Sequence, residues 1–103
     1  MKFAWLNKQG VRSDQGFEVQ MVSRDCIEYR ESDRVLTVEV EIGMSGESAC
    51  LLVSPDCFAR WDDIPKNATL DDREQARIER NFLDAMTFQD VKIVVEDPVP
   101  QGT

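Results

Sequence analysis

The sequence predicts an α+β fold: an antiparallel β-meander of four to six strands with one main helix packed on one face. Three observations predict it. Apolar residues recur at every second position through much of 17–42, as in half-buried strands. The intervals between these runs are short and rich in turn formers, so neighbouring strands run antiparallel. Toward the C-terminus the period becomes helical, with Ile78, Phe82, Ala85 and Met86 on one stripe.

Residues 2–6 form a short apolar run that the turn residues Asn7, Lys8, Gln9 and Gly10 end, which fits an edge strand. Ser13, Asp14, Gln15 and Gly16 give a second turn. In 17–23, Phe17, Val19 and Met21 share one face, with Glu18, Gln20 and Val22 on the other. After Arg24 and Asp25, residues 26–31 alternate again: Ile27 and Tyr29 lie opposite Cys26, Glu28 and Arg30. Ser32 and Asp33 signal a tight hairpin. The clearest strand is 34–42. Leu36, Val38, Val40 and Ile42 take one face, and Val35, Thr37, Glu39 and Glu41 the other. Gly43 to Gly46 turn the chain. Segment 47–54 is apolar on both faces at Leu51, Leu52 and Val53, as in a central strand covered on both sides.

Residues 55–66 read as a loop with one helical turn near 56–61. Thr69 is placed to cap a helix over 69–86, and Asp71, Asp72 and Glu74 suit the positive end of its dipole. Leu83 widens the apolar stripe. Segment 90–96 reads as a last strand. The expected organisation is one globular domain over 1–96 and a flexible tail over 97–103.

Charge and composition narrow the function. The 103 residues carry 20 Asp and Glu against 12 Lys and Arg, a net charge of −8. Segment 17–54 holds eight acids against three bases, so most of the excess falls on the predicted strands. Such a surface repels nucleic acid and anionic membrane and favours a basic protein partner. The chain has no histidine, which excludes imidazole triads and imidazole-ligated metals. Cys26, Cys50 and Cys57 have no paired spacing, which reads as three free thiols and not a zinc site. No Gly-rich phosphate loop is present. The expectation is therefore no cofactor and no metal. The N-terminal apolar run is too short for a signal peptide, and no run approaches a membrane span, so a cytoplasmic protein is expected.

The candidate site residues are acids and one tryptophan. Glu39 and Glu41, on one predicted strand face, stand about 7 Å apart by strand rise. That spacing suits a carboxylate pair or a hard-metal site; the plainer reading is a solvated face. Asp62 and Asp63, like Asp71 and Asp72, are paired acids that could clamp a cation or simply serve turns and helix starts. Cys57 lies beside Asp56 with no base to activate it. Trp61 has two readings, an exposed anchor for a basic partner or a residue packing its loop over the sheet edge.

Three segments carry a family resemblance. They are Ser23 to Glu31 (SRDCIEYRE), Arg34 to Glu39 (RVLTVE), and Trp61-Asp62-Asp63-Ile64-Pro65 ahead of the helix and last strand. Over 19–96 this pattern resembles a family of small immunity proteins from bacterial polymorphic-toxin systems. Its marks are a Tyr in a hairpin, a Glu in the next strand and a Trp–acid–x–x–Pro step. The resemblance implies a non-enzymatic binder that blocks a co-encoded toxin. The first expectation is thus an immunity-type inhibitor binding a basic toxin domain through Glu28, Glu39, Glu41, Trp61, Asp62 and Asp63. The alternatives are a small acidic dimerisation or regulatory module, working as a homodimer without a toxin, and a carboxylate- or metal-dependent enzyme.

Overall fold

The computed structural model describes residues 2–62 and 69–95. The fold is α+β, with a five-stranded antiparallel meander, a second three-stranded sheet and one main helix. The meander comprises β1 (Phe3–Asn7), β2 (Gly10–Ser13), β3 (Phe17–Ser23), β4 (Cys26–Glu31) and β5 (Arg34–Glu39), paired in chain order. The second sheet has the order β6 (Glu41–Ser45), β7 (Ser48–Val53), β8 (Ile93–Val95). Between β7 and β8 come a 3-10 turn, Pro55–Phe58, and the helix α1, Asp72–Phe88. The tail expected over 97–103 lies outside the described residues.

The alternation in the sequence sets the register of the meander. Val19 stands opposite Tyr29, and Tyr29 opposite Leu36; Met21 stands opposite Ile27, and Ile27 opposite Val38. This inner face, with Val11 and Phe17, is closed to solvent except at the partly buried Met21, and meets Ile78, Phe82, Ala85 and Met86 of α1 in one core. Val40, Val53 and Phe58 belong to the same core, which therefore joins both sheets to the helix. Phe58 docks the 3-10 turn on the helix, its ring 5.5 Å from that of Phe82. A row of rings crosses the inner face: Phe3 to Phe17 at 5.9 Å, Phe17 to Tyr29 at 5.3 Å, and Tyr29 to Trp61 at 6.1 Å.

The structure corrects four sequence expectations. First, Gly10 and Ser13, expected in turns, are the two ends of strand β2, which has Val11 as its one large apolar residue and shows no alternation. Second, the nine-residue strand 34–42 is two strands in different sheets. Cys26 pairs with Glu39, and the Val40 N–H still donates to Asp25 O at 2.9 Å. β4 offers nothing further, so the chain finds its next ladder on β7. Val40 is buried as expected, but Ile42 lies 74% exposed. Third, β8 is parallel to β7, because an intervening helix returns the chain to the same end of the sheet. Its presence makes β7 the central strand, as its apolar run predicts. Fourth, Asp71, not Thr69, caps α1: its side chain accepts from the Glu74 N–H at 2.8 Å.

The far end of α1 is a Schellman closure. The Asp90 N–H donates to Thr87 O and the Val91 N–H to Met86 O, each at 3.0 Å. Asp90 takes φ +61° there, a left-handed conformation that an L side chain resists and glycine accepts. Its charge also faces the negative end of the helix dipole.

Two predictions follow from this packing. Phe82→Ala removes a fully buried ring and should cost about 3–5 kcal/mol in urea unfolding; a loss under about 1 kcal/mol would contradict its central position. Asp90→Gly relieves both backbone strain and the dipole clash. It should stabilise by roughly 1 kcal/mol, raising the thermal midpoint by about 4–8 °C. An unchanged or lower midpoint would contradict this.

Candidate functional site

The outer face of the meander is more balanced than the charge count implies. Across it, Glu18 pairs in register with Arg12 and Arg30, and Gln20 with Glu28. Arg12 Nε meets Glu18 Oε2 at 2.9 Å, and Arg30 Nη2 meets Glu28 Oε1 at 2.8 Å. Beyond these pairs, three acids, Glu39, Asp56 and Asp62, gather with Arg60 at one border, along β5.

Thr37 is the centre of that border. Glu28 stands opposite it in β4, and Glu39 lies two residues along the same face. Asp62 grips it from the other side. The Asp62 carboxylate accepts from the Thr37 N–H at 2.9 Å and from the Thr37 hydroxyl at 2.6 Å. The Asp62 N–H in turn donates to Val35 O at 2.8 Å. These bonds occupy the free edge of β5, which would otherwise invite another strand. Beside them runs an open groove between β5 and the 3-10 turn, lined by Thr37, Glu39, Asp56, Cys57, Arg60, Trp61 and Asp62 among others.

Four of the six sequence candidates therefore converge: Glu28, Glu39, Trp61 and Asp62. Glu41 does not join them in the meander, because the break at Val40 places it in the second sheet, opposite Leu52. Asp63 lies outside the described residues. Trp61 is a core residue with only 3% exposure, stacked on Tyr29, so of its two readings packing holds and the exposed anchor does not. It closes the groove from beneath. Asp56, on the 3-10 turn, adds an exposed acid that the sequence did not single out. Only the fold could bring it there.

Burial pushes the Cys57 thiol up from its ordinary pKa, against weaker pulls from backbone groups. Its sulfur lies 3.9 Å from Glu39 O, to which it donates. A thiol held protonated is a poor nucleophile. Among the described residues, no group of three Cys, Asp or Glu is placed to hold a metal ion, and no helix is long and apolar enough to cross a membrane.

A second polar cluster lies on the inner face. Tyr29 is fully buried, and its hydroxyl donates to Glu31 Oε1 at 2.7 Å and accepts from Asn81 Nδ2 at 3.0 Å. Arg77 reaches both Glu31 oxygens at 2.8 Å and also forks onto Glu74. The sequence reading placed Tyr29 on one strand face with Ile27 but gave no role to Glu31 or Arg77. Nothing local marks this pairing, since the two are far apart in the chain.

No protein-family model matches this chain, and comparison with curated proteins and with solved structures finds no match for it.

The inner cluster sets a pH dependence. Hydrogen bonds from Arg77 hold the Glu31 carboxyl below its ordinary value of 4.5, against an opposing effect of burial. A carboxylate lowered on folding stabilises above its unfolded pKa, and that stability is lost as pH falls through the folded value. Glu31→Gln should therefore cost about 1–2 kcal/mol at pH 7, a modest figure because water screens the half-exposed guanidinium. The two proteins should converge in stability below the carboxylate range. Urea melts at neutral and acid pH test this; a deficit that persists unchanged in acid would rule it out.

Proposed function

We propose that this chain is a non-enzymatic binding protein of the cytoplasm, an immunity-type inhibitor whose acidic groove receives basic side chains of a toxin domain. The observation that carries this reading is the convergence of three acids, Glu39, Asp56 and Asp62, against one base, Arg60, on one open groove beside β5, with Glu28 next to it across the sheet. Acids fixed on strands and on a turn are preorganised for a cationic partner, and little ordering entropy opposes binding. Two features favour binding over catalysis. The groove is open, and its one thiol is held protonated by burial. The resemblance of segments 23–31, 34–39 and 61–65 to immunity proteins supplies the toxin as partner.

Co-expression with the products of flanking genes tests the proposal. A captured partner should associate more slowly as salt rises, because screening weakens the steering. The double reversal Glu39→Lys with Asp56→Lys should weaken the complex at least about tenfold while the fold persists, since exposed charges contribute little to stability. Glu41→Lys, in the other sheet, should leave it intact. An unaffected complex in the double variant, or failure to capture any flanking product, would overturn this reading.

A further inference from the structure

We propose that β6 is a self-association edge: two copies pair β6 against β6, antiparallel about a two-fold axis at Gly43, and join two three-stranded sheets into one of six. β6 lies at the border of its sheet, with β7 on one side. It lacks the protection seen on β5, where Asp62 occupies the edge. It carries no lysine, proline or bulge, the usual devices that blunt an edge. Its two large side chains, Ile42 and Met44, are 74% and 65% exposed.

The hairpin fixes which backbone groups are available. Ser45 and Ser48 close a two-residue loop, Gly46-Glu47, in which Gly46 alone has positive φ, +65°. This is a type II′ turn, whose closing pair is hydrogen-bonded. Alternation along the ladder then turns the peptide groups of Gly43 and Glu41 toward β7, and those of Ile42 and Met44 outward. The apolar residues are thus also the ones with free N–H and C=O groups on the edge.

The occupant follows from the order of residues, which is self-complementary. With Gly43 on the axis, Ile42 faces Met44 of the second copy, and Met44 faces its Ile42. Each of these pairs exchanges two backbone hydrogen bonds. Glu41 faces Ser45 of the second copy, so the strand's one charge does not meet its like. Shifting the register by one step places Ile42 opposite Ile42 or Met44 opposite Met44 and leaves one such pair within the strand where the centred register has two. A Cβ at Gly43 would stand 2.8 Å from the Leu52 side chain and would force it to shift. At the axis, a residue without a side chain also lets the backbones approach.

Two copies at −8 each repel, so this association should strengthen with salt, opposite to the salt effect on the acidic groove. Sedimentation over a concentration series should show wild-type mass rising toward twice the monomer, more readily at high salt. Met44→Lys should hold the chain monomeric. Met44→Pro should do the same, because the N–H it removes points outward and makes no bond to β7. Hydrogen exchange on the wild type needs no variant: the Ile42 and Met44 amides should slow at least about tenfold as concentration rises. Three outcomes would each overturn the proposal: a wild type monomeric at every concentration and salt, a dimer that survives both variants, or association that leaves those two amides unprotected.

Discussion

The polar tie between the helix and the meander centres on one carboxylate, with Asn81 of α1 adding a bond to Tyr29. Glu31 closes β4, accepts the hydroxyl of the buried Tyr29 and takes both prongs of Arg77 from α1. Each member needs the next. A tyrosine hydroxyl in the core requires a partner, the carboxylate that serves it requires a counter-charge, and the guanidinium is held in turn by Glu74. The apolar stripe of α1 supplies most of the burial, but apolar contacts tolerate sliding. A forked arginine–carboxylate pair is directional, so it fixes where along the sheet the helix sits. The helix in turn sets the seat of the 3-10 turn through Phe58 and Phe82, and with it one wall of the groove.

The groove and the fold share residues. Asp62 seals the β5 edge through Thr37 and contributes an acid to the proposed binding surface. Trp61, its neighbour, faces the other way and ends the aromatic row. One of the pair is buried and the next is exposed, so one short segment serves core and surface together. The preorganisation invoked for binding is thus also edge protection.

Much of the fold was legible because period two and period 3.6 are geometric necessities wherever one face is buried. Ile27 and Tyr29, or Ile78 and Phe82, had to fall inward once their elements formed. The break at Val40 was not legible. Extended backbone continues through it, and Glu39, Val40 and Glu41 alternate as they would in one strand; only the exhaustion of β4 as a partner divides them. The same limit explains the site. Glu28 and Glu39 were grouped correctly by face, whereas Glu41 was assigned by a register that tertiary pairing interrupts. Asp56 and the pairing of Glu31 with Arg77 depend on contacts that no local pattern encodes.

The two sheets also differ in how they can assemble. Every pairing in the meander joins consecutive strands across short turns, so it can form almost as soon as its residues are available. β7 and β8 are separated by the 3-10 turn and the whole of α1, and their parallel ladder closes a much larger loop. The second sheet should therefore be the late event of folding, with β6 and β7 waiting as a hairpin on a formed meander until the helix docks. During synthesis the wait is set by the ribosome, because β8 follows the helix in the chain. In that interval a two-stranded apolar hairpin has both its edges bare, which makes the second sheet, not the acidic meander, the point at which a nascent chain is most open to chaperones or to misassembly.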